Sequence, residues 1–136
     1  MIRPIVHMPL MLARAAEPAT PKDVEVGHDL LDTLAAHRSE CVGMAANMIG
    51  VNKSAIVFAQ GEGARVMFNP AIVKRAQPFD TEEGCLSLAG TRPTRRYKRI
   101  TVRYQDFDFV WREEDFTGWT AQIIQHEVDH TKGILI

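Results

Sequence analysis

Apolar residues recur at helical spacing over residues 24–38, where Val26, Leu30, Leu31, Leu34 and Ala35 share one face, so the pattern predicts an amphipathic helix. Ahead of it, Pro18, Pro21 and the polar residues between them read as a loop. The period then changes. Residues 55–59 and 65–68 are short apolar runs separated by Gly61-Glu62-Gly63, a hairpin signal, and Ile72-Val73 continues strand-like material past Asn69-Pro70. Ile100, Val102 and Tyr104 alternate with Thr101, Arg103 and Gln105, the spacing of a half-buried strand. Phe107, Phe109 and Trp111 alternate similarly and predict another. Helical spacing returns over residues 118–131 with Trp119, Ile123, Ile124 and Val128, Thr117 serving as the cap and Gly133 as the stop. Residues 41–50, rich in Gly and Ala and without a period, read as a tight loop. This order predicts an α+β domain: antiparallel β-sheets packed around a C-terminal helix, with one N-terminal helix.

Composition narrows the class. The 136 residues suit one domain, residues 1–136, with 16 basic and 17 acidic side chains and 46% hydrophobic content. Near-balanced charge gives no argument for DNA or an anionic membrane. No run approaches the ~18 apolar residues of a membrane span. The N-terminal residues are interrupted by Pro4, His7 and Pro9 and do not form a signal peptide. Two cysteines make a poor disulfide framework and read as thiols, so the expected address is the cytoplasm. Residues 92–103 carry Arg92, Arg95, Arg96, Lys98, Arg99 and Arg103, read here as a solvated strand face balanced by Asp106, Asp108, Glu113, Glu114 and Asp115 across a hairpin.

The chemistry is concentrated in His126-Glu127-Val128-Asp129-His130, an H-E-x-x-H pattern. On a helix the two imidazoles lie one above the other and can grip one metal ion. Glu127, about 100° round the helix, can miss the ion yet reach a water on it, as a general base must. The six residues after His130 include no His, Cys, Asp or Glu, so the third ligand is expected upstream, unlike the usual metalloprotease layouts. The candidates are Cys41, Cys85, His7, His28 and His37. The histidines read as structural or exposed. Cys85, beside Gly84 and flanked by Glu82 and Glu83, would complete a Cys-His-His set with a fourth position open, the alternative being a buried inert thiol.

Three segments in order resemble the peptide deformylase family. Gly43-Met44-Ala45-Ala46-Asn47-Met48 is similar to its G-x-G-x-A-A-x-Q box, Glu83-Gly84-Cys85-Leu86-Ser87 matches E-G-C-L-S, and Gln125-His126-Glu127-Val128-Asp129-His130 matches Q-H-E-x-D-H. Residues 9–20 also resemble the family's N-terminal segment. The resemblance implies a metal-dependent hydrolase that removes the formyl group from N-formylmethionyl nascent peptides and releases formate. It implies Cys85, His126 and His130 as ligands of one divalent ion, Fe(II) in the cell, replaceable by Zn or Ni. Glu127 would move the proton and the backbone N–H of Leu86 would face the oxyanion. Val42, Gly43, Met48, Gly84 and Ile123 would meet substrate, Val42, Gly43 and Ile123 lining an apolar slot for methionine, and Arg92 would pair with Glu83. The partners implied are the nascent peptides and transient ribosome contact, for a monomer with neither DNA nor membrane.

The chain departs from the family pattern in two places. Met48 stands where the family has glutamine, and a thioether cannot donate a hydrogen bond. Asn47 could stand in only if the backbone turned, because neighbours on an extended segment face opposite ways. Cys41 replaces the first glycine of the box and reads as a packing residue. The many bacterial deformylases with a further C-terminal helix use an element missing after residue 136, so ribosome docking by that route is not expected. Two other readings stand beside deformylation: a non-catalytic relative that binds formylated or otherwise modified N-termini, and, last, a zincin-type endopeptidase.

Overall fold

The computed structural model describes residues 1–136. Its architecture is organised by β2 (Ala55–Gln60), whose first four residues are fully buried. Ala55 and Val57 enter one core with Leu30, Leu34, Met44 and Phe68. Ile56 and Phe58 enter a second with Ile100, Val102, Ile124 and Val128. A strand covered on both faces needs apolar residues at successive positions, which is why this run does not alternate.

Five strands form one antiparallel sheet in the order β1 (Gly43–Ala45), β2, β3 (Gly63–Cys85), β4 (Leu88–Gln105) and β5 (Trp111–Thr117). Helix α2 (Val24–Ala36) supplies Leu30 and Leu34 to the first core, and α3 (Gly118–Thr131) supplies Ala121, Ile124 and Val128 to the second. The sheet therefore lies between two helices. A Cβ on Gly27 would stand 2.7 Å from Phe68 Cζ, so the bare backbone lets α2 approach β3. A short helix, α1 (Pro9–Leu12), precedes these elements and buries Leu12. Both expected helices and the hairpin at Gly61–Gly63 are present.

Three local expectations are corrected. Residues 41–50 are not simply a loop: Gly43–Ala45 pairs with Phe58, Val57 and Ile56 of β2, and Ala46–Ile49 is a 3-10 turn closed by left-handed Gly50. Small side chains conceal the strand signal there. Phe107 and Phe109 lie in a turn, because Asp106 accepts from the backbone N–H groups of Asp108 and Val110 and bends the chain. Both rings pack on Phe68, with centroids 5.6 and 4.7 Å away. Finally, β3 and β4 form a hairpin far longer than its apolar pattern, paired from Phe68–Gln105 to Cys85–Leu88. Residues 73–78 are exposed throughout, so no face of this stretch carried an alternating signal.

The anchor between sheet and α3 is Gln125. Its Oε1 accepts from Tyr97 N–H at 2.9 Å, and its Nε2 donates to Tyr97 O at 2.8 Å and Ala121 O at 3.0 Å. The carboxamide thus pairs with the strand backbone as another strand would. Gln125→Leu, apolar and of similar size, removes all three bonds and is expected to lower unfolding free energy by about 2 kcal/mol, checked by urea denaturation.

Candidate active site

Helix α3 presents Trp119, Gln122, Ile123, His126 and Glu127 along one stripe, at the three- and four-residue spacing that aligns side chains on a helix. That stripe forms one wall of a cavity of about 660 Å³. The end of β3 and the following turn, residues 81–86, form the second wall, and Cys41, Val42, Gly43 and Met48 the third. A Cβ on Gly43 would meet Ile123 Cγ2 at 2.8 Å and Glu127 Oε2 at 2.9 Å. The glycine leaves Glu127 the room it occupies.

At the deep end, Cys85 Sγ and one ring nitrogen each of His126 and His130 lie within 4.8 Å of one another, a group that could hold a metal ion. The Nε2 atoms of the two histidines are 3.1 Å apart. His126 Nδ1 contacts Glu83 Oε1 at 2.8 Å, which turns its Nε2 toward His130. Burial opposes a charge on His126, but its hydrogen bonds with Cys85 and Glu83 prevail and hold its pKa up to about 10. Burial, then the charge of His126, pushes His130 down to about 3. One positive charge is thus held on His126, while His130 stays neutral with its ring nitrogen available as a ligand. A divalent cation fits that donor set, since thiolate and imidazole together suit several transition metals.

Glu127 is buried beside this cluster, and its Oε1 has no hydrogen-bond partner. Burial raises its pKa to about 7, against the pull of His126. Glu83 goes the other way. Burial alone would raise it, but hydrogen bonds from His126, Arg96 and Gln122 outweigh burial and hold it down at about 2.

The expected pairing of Arg92 with Glu83 is corrected. The two residues are register partners across β3 and β4, yet the guanidinium that reaches Glu83 belongs to Arg96. Arg96 Nη2 donates to Glu83 Oε1 at 2.6 Å and Nη1 to Asp129 Oδ2 at 2.7 Å. Arg92 donates instead to Ala89 O at 3.2 Å. Arg92 is itself a cross-strand partner of Glu83, whereas Arg96 lies four residues along the same strand and reaches it diagonally.

The other sequence-predicted residues fall as follows. Val42, Gly43, Met48, Gly84, Leu86 and Ile123 all line the cavity. Its walls are more polar than an apolar slot, because Thr81, Glu82 and Gln122 also face it. Met48 is buried, with its sulfur 3.5 Å from Ala45 N–H as acceptor. Asn47 points elsewhere, donating to His130 O at 3.0 Å and Leu12 O at 3.4 Å. Cys41 stays outside the metal-binding group, its thiol donating to Gly43 O at 2.9 Å, and burial lifts its pKa to about 12. His7 contacts Ser87 O, His28 stacks on Phe107, and His37 pairs with Glu40. The basic segment is balanced only in part: Arg99 pairs with Asp115 and Arg95 with Asp80, while Arg103 stacks on Trp111 at 3.9 Å. Arg96, expected on a solvated strand face, is instead buried between Glu83 and Asp129, and Asp129 and Gln122 were given no role. The last two carried a usable signal, one lying inside the H-E-x-x-H pattern and the other a helical turn before it.

Two imidazoles, a thiol and an adjacent carboxylate at the foot of a cleft are the makings of a mononuclear metallohydrolase. The family model described as polypeptide deformylase matches residues 2–136. A peptide deformylase of Clostridium beijerinckii is 52% identical over 136 residues, covering all of both chains. One from Acidobacterium capsulatum is 36% identical over 144 residues, covering 99% of this chain and 84% of the relative. Among solved structures, a Met-Ala-Ser-bound class I type b peptide deformylase from Acinetobacter baumannii superposes with a TM-score of 0.88 at 27% identity, covering 99% and 97% of the two chains. The Thermotoga maritima peptide deformylase gives 0.88 at 29%, covering 99% and 95%. The chain belongs to the polypeptide deformylase family.

The arginine assignment can be tested directly. Arg96→Met leaves Glu83 and Asp129 without their shared cation and is expected to cost about 3 kcal/mol or more in denaturant unfolding. Arg92→Met is expected to cost less than about 1 kcal/mol in the same measurement.

Proposed function

We propose that this chain is a metal-dependent hydrolase of 136 residues, one catalytic domain, that removes the N-formyl group from formylmethionyl peptides and releases formate. The observation that carries the reading is the convergence of Cys85, His126 and His130 within 4.8 Å, beside Glu127 in the same cavity. Membership of the deformylase family supports it. In this reading Cys85, His126 and His130 hold one divalent ion, Fe(II) in the cell, with Zn or Ni able to replace it. When bound, such an ion acidifies a water and polarises the formyl carbonyl.

The chain's own groups do the rest. Glu127, its pKa lifted by burial toward neutrality, accepts the proton of the attacking water and passes it to the amine as the C–N bond breaks. The backbone N–H of Leu86 is the donor assigned to the oxyanion. Glu83 keeps His126 in the tautomer that turns Nε2 toward the ligand cluster. Val42, Gly43, Gly84 and Ile123 line the space for the first residue of the peptide. The Met-Ala-Ser peptide of the Acinetobacter baumannii relative is of the class this cavity would release.

Formate release from formyl-Met-Ala-Ser by Fe(II)- or Ni-loaded protein tests the assignment. Turnover that a chelator abolishes and Glu127→Ala lowers by about 10² or more is expected. Wild-type turnover no greater than that of Glu127→Ala would favour binding without catalysis. Met48 lies where the family glutamine donates, and one lost oxyanion donor costs about 10² in kcat. Met48→Gln is therefore expected to raise kcat/KM on the same peptide, and an unchanged value would remove the oxyanion argument.

A further inference from the structure

The stripe on α3 carries a polar residue that the hydrolytic chemistry leaves unused. Gln122 sits four residues, just over one helical turn, before His126, about 6 Å along the axis. Its Nε2 donates to Glu83 Oε2 at 2.9 Å, which fixes the orientation of the carboxamide. Its Oε1 accepts from no protein group, and Gln122 is absent from the buried side chains left unpaired, so the oxygen remains reachable from the cavity it lines. Thr81 faces the same space from the cysteine wall. Gln122 and Trp119 also line an adjoining depression with Phe79, Lys98 and Arg99.

One turn of helix is the reach of a methionine-length side chain. A formamide at the His126–Glu127 end would therefore bring the first side chain of its peptide beside Gln122. In an apolar slot a polar side chain loses its water without replacement and is rejected. Here a fixed acceptor, together with the second amide N–H, can replace that water.

We infer that Gln122 sets the selectivity of the cavity at the first residue of the formylated peptide, admitting a polar side chain of methionine length as well as methionine. The inference rests on the deformylase reading and adds a substrate class to it. Glutamine, nearly the shape of methionine but carrying a donor and an acceptor, is the side chain that separates the two possibilities.

The test is kcat/KM for formyl-Gln-Ala-Ser and formyl-Met-Ala-Ser with wild type and Gln122→Leu. The glutamine-to-methionine ratio is expected to fall about fivefold in the variant, the worth of one ordinary hydrogen bond. Loss of the bond to Glu83 slows both peptides alike and leaves the ratio untouched, so a purely structural role would not produce the change. Gln122→Met, of equal length without the amide, gives the same comparison if the leucine variant does not fold. An unchanged ratio, with formyl-Met-Ala-Ser still turned over, overturns the inference alone. No turnover of either peptide by the wild type overturns the deformylase reading and this inference with it.

Discussion

Glu83 stands near the end of β3 with its carboxylate almost shut off from water, where an unpaired charge would cost several kcal/mol. Arg96, His126 and Gln122 all donate to it, and Arg96 carries the connection on to Asp129. These partners come from β4 and α3, whereas Cys85 follows Glu83 by two residues on β3. One buried anion therefore sets the cysteine wall against the histidine helix. Gln125 reinforces the same joint by pairing with the backbone of Tyr97 one residue beyond Arg96.

The two carboxylates nearest the ligand cluster are pushed in opposite directions. Glu83 has several donors and stays ionised down to about pH 2. Glu127 has burial without a hydrogen-bond partner on Oε1 and rises to about 7. Environments that separate two like groups in this way suit one to orienting and the other to proton transfer, the roles proposed for Glu83 and Glu127. Gly43 belongs to the same arrangement, because any side chain there would press on the Glu127 carboxylate.

Much of this was legible in the residues alone. Helices announced themselves through three- and four-residue spacing, and the H-E-x-x-H pattern with Cys85 named the three residues that the fold brings within 4.8 Å of one another. Exposed and two-sided regions were harder to read. Residues 73–78 of β3 carry no alternation because neither face is covered, and Gly43–Ala45 hides a strand behind small side chains. Phe107 and Phe109 mimic strand alternation but owe their burial to a turn made by Asp106. The resemblance pointed to Arg92, but the partner of Glu83 is Arg96, since pairing across a hairpin depends on side-chain reach as well as register. The polar character of the cavity was missed because Thr81 and Gln122 acquire meaning only when β3 and α3 face each other.

The account turns on a sulfur and two ring nitrogens sharing one cation. K-edge X-ray absorption on protein loaded with a single equivalent of zinc reads that shell without reference to activity. The expected result is one sulfur at about 2.3 Å and two imidazole nitrogens at about 2.0 Å. A first shell without sulfur would contradict it.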